Sequence, residues 1–358
     1  MYKNGSSPKF ADLFCGLGGF RMGFEKSGFQ CVFSSDSNSK IQDVYETNFG
    51  ERPDGDITKI DPKLMPEFDV LVGGFPCQPF SISGKKLGFE DTRGTLFFDI
   101  CRIIKEKHPK VVVLENVKHF INHDKKRTLK VVVNSLMELG YFVDYKVLNL
   151  KDFGLPQNRE RIFIIGAKKS TFNFDKLKKT TAPSLLNFLD KNGPFEFLQP
   201  SEYTLLKEGV YKKQKDSGLI FRGYRNKKGF QNGIRPNSEH LNRVHRQPNR
   251  IYSVDGYHPT LPSQEASGRF FIYNSKTDSV RKLTINECYR IMGFPKKYIR
   301  HKQNSECYKQ IGNSVGVPVV EEISKEILNQ GLLDVDQSQN PFNKNVRRIF
   351  DNQYEITF

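Results

Sequence analysis

A cysteine flanked by prolines has the surroundings in this sequence that best suit covalent chemistry. Cys77 lies between Pro76 and Pro79, shortly after an apolar run that ends in two glycines. Buried structural cysteines usually lie inside strands or helices, whereas proline holds this one in irregular backbone. A thiol attacks as its thiolate, so this role requires a neighbouring cation or helix N-terminus that lowers the pKa of Cys77. The competing interpretation is a small apolar side chain that fills a turn.

Two further segments carry side chains that suit proton transfer and anion binding. Glu115 ends a second apolar run, and burial of a carboxyl group there would raise its pKa and let it protonate a ring nitrogen. Arg159 and Arg161 alternate in a strand-like stretch, so both are expected on one side, where they would hold an anionic or carbonyl-rich substrate. The alternatives are an acid that caps the following helix and arginines that form surface salt bridges.

A glycine-rich turn follows the apolar run that begins at Phe10. A strand, such a turn and a helix together let backbone N–H groups approach a nucleotide or an adenosyl group closely. Asp36 ends the next apolar run, where a carboxylate accepts hydrogen bonds from ribose hydroxyls, and Asp56 with Ile57 is expected beside the adenine. Taken singly, each acid is equally well explained as a solvated loop carboxylate. The glycines of the turn are Gly16, Gly18 and Gly19.

The elements that must position these residues alternate between short apolar runs and helical patterns. Uninterrupted apolar strands separated by helices are typical of a parallel sheet that is covered on both faces. Residues 141–150 and 161–167 alternate in polarity and predict two late strands, arranged as a hairpin. We therefore predict an α/β fold with a doubly wound, mostly parallel, Rossmann-like sheet. The four apolar runs begin at Phe10, Cys31, Phe68 and Val111.

The pattern changes near Lys168, where periodicity weakens and Lys, Asn, Pro and Gly become more frequent. Helical patterns return over residues 283–291 and 319–328. We predict one larger domain built from residues 1–167 and 283–358, interrupted by a smaller, irregular, mostly β domain of residues 168–282. No apolar run approaches the ~18 residues of a membrane helix, and no signal peptide precedes the first strand.

The net charge of +16 is concentrated in that smaller domain. Residues 168–282 carry 22 Lys and Arg against 10 Asp and Glu, a bias that favours a nucleic acid partner over mere solubility. Arginine pairs with guanine edges in the major groove, and Arg222, Arg225 and Arg243 are our candidates for base contacts. For any one of them a phosphate contact is the alternative. The six cysteines form no CxxC pair or zinc-spaced cluster, so we expect reduced thiols and no metal.

The ordered motifs resemble those of the C5-cytosine DNA methyltransferases, most closely the HhaI type of bacterial modification enzyme. The resemblance covers residues 10–166 and 282–328, and residues 259–262 (PTLP) are similar to a family block before the final motifs. It implies a catalytic domain that binds S-adenosylmethionine, a DNA target-recognition domain, and a cytoplasmic, monomeric enzyme that acts on double-stranded DNA separately from any cognate restriction endonuclease. The matching motifs are FCGLGG, PCQ, DTRGTLF, ENV, QNRER and GNSV.

The resemblance also assigns roles. Cys77 would add to C6 of a flipped cytosine, Glu115 would contact N3, and Arg161, supported by Arg159, would lie beside the base. Asp36 would hold the ribose, although the family more often has Glu there, and S-adenosylhomocysteine would be the product. Other implied cofactor contacts are Phe14 on the adenine, Asp56 and Ile57 bordering it, Gly16, Leu17, Gly18, Gly19 and Pro76, and Leu96, Asn313 and Ser314 on the donor side. Ser81 and Ser83 would close their loop over DNA.

Three other functions remain open at this point. The tRNA-modifying branch of the family shares the cysteine and glutamate motifs, but usually carries a Cys-Phe-Thr tripeptide that this sequence lacks. A dinucleotide oxidoreductase would require GxGxxG, whereas residues 16–19 read GLGG. A DNA-binding protein without activity would not require the full motif set.

Overall fold

The computed structural model describes residues 6–76, 96–206, 212–226, 249–264 and 268–334, and all structural statements below concern these residues. The strands are β1 (Lys9–Leu13), β2 (Gln30–Ser35), β3 (Val70–Gly74), β4 (Val111–Val117), β5 (Phe142–Asn149), β6 (Gln157–Asn158), β7 (Glu160–Ala167), β8 (Tyr203–Leu205), β9 (Lys212–Lys213), β10 (Ile220–Arg225), β11 (Arg250–Ser253), β12 (His258–Pro259), β13 (Phe271–Asn274) and β14 (Ser279–Lys282). The α-helices are α1 (Gly19–Lys26), α2 (Ser39–Phe49), α3 (Leu96–Lys107), α4 (Arg127–Glu138), α5 (Ile285–Arg290), α6 (Asn304–Asn313) and α7 (Val317–Asn329).

The larger sheet is mostly parallel, as predicted, with the order β2-β1-β3-β4-β7-β5. Strands β2, β1, β3 and β4 pair in parallel, whereas β7 runs antiparallel to both β4 and β5. The late hairpin is therefore confirmed as the β5–β7 pair. The first crossover helix, α1, follows the glycine-rich turn after β1.

Side chains that alternate along the central strands divide the interior into two apolar layers. On β3, Val70 and Val72 pack in the layer that includes the α1 and α7 side chains, whereas Leu71 packs against α3 and α4. Strand β4 repeats this division, with Val113 in the first layer and Leu114 in the second. Both faces of the sheet are covered by helices, so the doubly wound fold is confirmed.

The second sheet is built from the short strands expected in the basic region. Its order is β14-β13-β11-β10-β8, with β9 also paired to β10, and only the β11–β13 pair is parallel. A small cluster of Ile251, Phe271, Tyr273 and Val280 fills one face. This sheet, called the recognition sheet below, has a far smaller core than the larger sheet.

A two-stranded parallel pair, β6 with β12, joins the two parts of the molecule. The segment just after Ala167 does not belong to the recognition sheet, because Phe172, Phe174 and Leu185 pack in the same apolar cluster as Val70 and Val113. The domain boundaries at residues 167 and 283 stay predictions. Among the described residues, no helix combines the length and apolarity needed to cross a membrane.

Candidate active site

Glu115 and Arg161 form an ion pair at the edge where the central strands end. Arg161 Nε lies 3.0 Å from Glu115 Oε1, and the two side chains are only 14% and 12% exposed. Their strands pair antiparallel, with Val117 opposite Arg161, so a carboxylate and a guanidinium on facing strands meet. Burial raises the pKa of Glu115, and the charges of Arg161 and Arg159 oppose that shift. Because burial raises its pKa, the Glu115 carboxylate takes up a proton more readily, and it can then donate that proton to a bound group.

The chain that leads to Cys77 leaves the sheet directly beside Glu115. Gly74 pairs with Glu115, and a side-chain carbon on Gly74 would lie 3.3 Å from Glu115 Oε2, so glycine leaves room for the carboxylate. Asn116 Nδ2 donates to the Phe75 carbonyl at 2.8 Å and holds this exit in place. Strands β3 and β4 are therefore neighbours in the sheet. Pro76 is exposed and is the last described residue before the gap; Cys77, Ser81 and Ser83 lie outside the described residues.

Arg159 is buried, and it contacts backbone carbonyls of its own chain. Its Nη2 donates to Gly312 O at 2.8 Å and to Ser314 O at 2.7 Å. Its charge still reaches Glu115, so the two arginines share the neighbourhood that their alternation indicated. The pattern predicts a substrate for Arg159, whereas its described contacts include the end of helix α6 and the residue that follows it.

The glycine-rich turn after β1 uses left-handed backbone. The φ angles are 55° at Phe14, 53° at Gly16 and 74° at Gly18, a region that favours glycine. Around Gly16 the space is open, since an added side-chain carbon would meet only the Phe14 carbonyl oxygen at 3.8 Å. Leu17 is buried, and its carbonyl accepts a hydrogen bond from the Tyr298 hydroxyl at 2.8 Å. The backbone of the turn at Gly16 therefore faces an open space, while the hydrogen bond between Tyr298 and Leu17 holds the turn in place.

Asp36 connects this turn to the end of β2. Its Oδ2 accepts the Gly16 N–H at 3.1 Å and its Oδ1 accepts the Asn38 N–H at 2.9 Å. Burial raises the pKa of Asp36, and these two N–H groups oppose the rise. Asp56 caps the short helix that begins at Ile57, and its hydrogen bonds from Thr58 lower the pKa of its exposed carboxyl group. Ile57 itself is buried.

Helix α6 brings Asn313 and Ser314 to the start of α1. A side-chain carbon on Gly19 would lie 2.7 Å from Val315 Cγ1 and 3.3 Å from Ser314 Oγ, so glycine permits this close approach. Ser314 is buried and Asn313 is exposed. Leu96 begins α3 and is half-buried. Open backbone at Gly16, an acceptor at Asp36 and an exposed amide at Asn313 fit an adenosyl group with an amino-acid tail.

A polar cleft of about 420 Å³ runs from Arg161 to the recognition sheet. Arg250 and Tyr252 line it from β11, and they point away from the apolar face because Ile251 between them packs in the small cluster. Lys118 lines the opposite side and pairs with Glu160 at 2.8 Å. The other lining residues are Asn158, Gln214, Leu219, Pro259, Thr260 and Arg269. The cleft is thus rich in cationic side chains.

The structure does not bring Arg222 and Arg225 to this cleft. The guanidinium carbon of Arg222 lies 4.7 Å from the centre of the Tyr273 ring, and that of Arg225 lies 4.3 Å from the Phe271 ring. Both rings belong to the apolar face of the recognition sheet. Cation–π packing on that face is therefore the observed contact of these two arginines. Arg243 lies outside the described residues.

Sequence reasoning missed several residues that support the site. Asn116 and Gln157 stand inside motifs, and both are buried with side chains that donate to the backbone carbonyls of Phe75 and Ile291. Arg250 was counted among the basic residues and not singled out. Its position between polar Asn249 and apolar Ile251, opening a short alternating run, is the signal that marks the solvent face of a strand. No group of three His, Cys, Asp or Glu side chains in the described part of the chain is arranged to hold a metal.

Comparison with known proteins establishes the family. The profile of the C-5 cytosine-specific DNA methylases matches residues 8–329, so the chain belongs to this family. It is 43% identical over 333 residues to the type II methyltransferase M.HhaI of Haemophilus parahaemolyticus, which covers 89% of this chain and 94% of that protein. It is 40% identical over 335 residues to the type II methyltransferase M.HpaII of Haemophilus parainfluenzae, which covers 90% of this chain and 89% of that protein.

Solved structures agree on the fold. A DNMT2 mutant of Spodoptera frugiperda superposes with a TM-score of 0.64 over 90% of this chain and 100% of that chain. The sequence identity is 20%, so this likeness concerns the fold alone.

Proposed function

We propose that this chain methylates C5 of a cytosine in a short site of double-stranded DNA, as the modification enzyme of a type II restriction-modification system. The observation that carries the proposal is the buried Glu115–Arg161 pair beside the chain that leads to Cys77. Sequence relatives of this chain at about 40% identity are named type II methyltransferases. S-adenosylmethionine, when bound, supplies an electrophilic methyl group.

The reaction requires a way to make C5 of cytosine nucleophilic, and the residues of this site provide it. The thiolate of Cys77 bonds to C6, and electron density moves toward C5 and N3. Glu115, whose pKa burial raises, donates a proton to N3 and lowers the free energy of the adduct. Arg161 holds Glu115 in place and offers its remaining N–H groups to the ring carbonyl. After C5 gains the methyl group, a base removes the C5 proton and the bond between Cys77 and C6 breaks, which releases the thiolate. N3 then returns its proton to Glu115.

We propose that the adenosyl group lies over the glycine-rich turn, with Phe14 against the adenine and Asp36 accepting hydrogen bonds from the ribose. Asp36 retains lone pairs for this role, because each carboxylate oxygen accepts one hydrogen bond from the part of the chain that the structure describes. Asp56 and Ile57 would border the adenine, and Leu96, Asn313 and Ser314 would line the methionine side.

The duplex would lie in the cationic cleft between Lys118 and Arg250. A ring inside a duplex cannot be reached from either face, so the target base must be flipped toward Arg161 at a cost of a few kcal/mol. Contacts of cleft cations with phosphates would offset that cost. We further expect a monomer in the bacterial cytoplasm that works separately from any cognate endonuclease.

Transfer of radiolabelled methyl groups from S-adenosylmethionine to duplex DNA or to tRNA tests this proposal. We expect label in DNA and none in tRNA, and loss of labelling in Cys77→Ala with DNA binding retained. Bisulfite sequencing of DNA from a host that expresses the chain would then locate the methylated cytosine. Label in tRNA alone, or turnover by Cys77→Ala at the wild-type rate, would overturn the proposal.

A further inference from the structure

A polar junction joins the cofactor side, the base-binding side and the recognition sheet. Strand β6 holds the segment that precedes Arg161, and Gln157 in it is fully buried. The Gln157 side chain donates to Ile291 O at 3.0 Å and accepts the Leu261 N–H at 3.0 Å. Thr260, which lines the cleft, donates to Asn158 O at 2.8 Å. Residues 260–262, called the connector below, lie between β12 and strand β13 of the recognition sheet. The connector is therefore hydrogen-bonded to β6, the strand that precedes Arg161.

Arg159 bonds to the same connector and to the loop after α6. Besides Gly312 and Ser314, its guanidinium reaches the Leu261 carbonyl at 3.5 Å. The two segments also touch directly, because a side-chain carbon on Gly312 would lie 2.4 Å from Pro262 O. One planar cation thus holds carbonyl groups of two segments that belong to different parts of the molecule.

The guanidinium of Arg159 is held by backbone dipoles, and the charge of Glu115 also favours its charged form. Arg159 is 2% exposed, and the described hydrogen bonds of its guanidinium all go to backbone carbonyls. Two of these carbonyls lie at the C-terminus of α6, the end of a helix that attracts cations. Movement of the loop after α6 would take carbonyl acceptors away from the buried Arg159 guanidinium, and an unpaired buried charge raises the free energy. The loop, the connector and Arg159 are therefore expected to move together or not at all.

We infer that Arg159 is a positioning residue that couples cofactor binding at the Asn313–Ser314 loop to DNA binding in the cleft. The inference rests on the proposed function for the identity of the two ligands. Its physical basis is a shared set of hydrogen bonds, so order imposed at one segment lowers the cost of ordering the other. Arg159 acts through these segments, because the described hydrogen bonds of its guanidinium go to their backbone carbonyls.

The test measures the affinity for DNA with and without bound S-adenosylhomocysteine. The probe is a fluorescein-labelled duplex carrying the cytosine that the wild-type protein methylates. Arg159→Lys keeps the charge but cannot serve carbonyls of two segments with a planar fork. We expect S-adenosylhomocysteine to tighten DNA binding by wild type about 5-fold or more, and this ratio to fall close to 1 in the variant.

Arg290→Lys is the matched control, because Arg290 holds the Phe188 carbonyl and Asp190 without touching the α6 loop. It should keep the wild-type ratio. A merely structural Arg159 would lower the melting temperature of Arg159→Lys and leave the ratio unchanged, and that result would overturn the inference. So would a wild-type ratio of 1. Wild type that binds neither ligand and methylates no DNA would instead refute the proposed function.

Discussion

The two sheets of this molecule differ in how their functional residues are held. At the edge of the larger sheet, Glu115 and Arg161 stand on the paired strands β4 and β7. Both side chains are mostly buried, and they form an ion pair at 3.0 Å. On the recognition sheet, Arg250 projects into an open cleft from a four-residue strand whose core is a small cluster. The pair at the larger sheet is thus held by other protein groups on most sides, whereas Arg250 lines an open cleft and its guanidinium carbon lies 5.5 Å from the centre of the Phe221 ring.

The largest difference between the two regions should appear in the effect of Glu115→Gln. Glutamine keeps the shape of the side chain but cannot donate a proton as an acid, so we expect kcat to fall by about 10²- to 10⁴-fold. DNA affinity should change little, because Glu115 contributes no cation to the cleft. Single-turnover methylation together with an equilibrium binding assay would show this.

The control for that variant is Glu326→Gln, a buried glutamate on α7 that bonds to Asn329 and Gln330. It should keep wild-type kcat. A Glu115→Gln enzyme within 10-fold of wild type, a margin of about 1.4 kcal/mol, would show that the acid is dispensable.

On the recognition sheet, we compare an arginine that lines the cleft with one that packs on the apolar face. Arg250→Ala should weaken DNA binding by about 5- to 150-fold, the range for one arginine contact to a base, and should reduce discrimination against altered sites. Arg222→Ala removes a cation of the same type that lies over Tyr273, so it should lower stability more than DNA affinity. Fluorescence anisotropy at several salt concentrations and urea unfolding measure both quantities. Equal losses of affinity in the two variants would contradict the assignment of faces.

Where the two regions meet, His258 should make stability depend on pH. Burial lowers the pKa of His258 to about 4. The Pro259 and Arg269 carbonyls beside its ring nitrogens oppose this shift but do not cancel it. The folded state therefore favours the neutral ring, and stability present above pH ~6.5, the ordinary value, is lost as pH falls toward 4. We expect His258 to account for about 2 kcal/mol of the loss between pH 7.5 and 5.

Urea unfolding of wild type and His258→Gln at both pH values measures this contribution. The variant should lose about 2 kcal/mol less than wild type on acidification, whereas His119→Gln, at an exposed position, should follow wild type. If acidification destabilised all three proteins equally, His258 would not be the group responsible.

The smallest expected effect concerns the cofactor side. Asp36→Asn removes a charged acceptor while keeping one oxygen, so we expect S-adenosylhomocysteine to bind about 5- to 10-fold more weakly. Asp36→Glu should bind at least as well as wild type, since the family more often has Glu there. Calorimetric titration measures the affinities, with exposed Asp43→Asn as control. Unchanged binding by Asp36→Asn would remove Asp36 from the cofactor site.

How far the sequence predicts each region follows from how local its determinants are. Buried parallel strands are nearly continuous apolar runs, so the larger sheet and its late hairpin were predictable. The faces on which Arg222, Arg225 and Arg250 lie were not predictable, because a bulge in the β10–β11 pair between Phe221 and Gly223 changes which side chains share a face. The role of Arg159 depends on carbonyls more than 100 residues away, which no local pattern encodes.

Covalent trapping on DNA tests the central claim most directly. Wild-type protein is incubated with S-adenosylmethionine and a duplex that carries 5-fluorocytosine at the methylated position, then denatured and separated by size. Because fluorine cannot leave as a cation, the bond between Cys77 and C6 should persist, and a protein–DNA band should survive denaturation in wild type and be absent in Cys77→Ala. Methylation of ordinary duplex without any such band, or a band of equal strength in Cys77→Ala, would contradict the account.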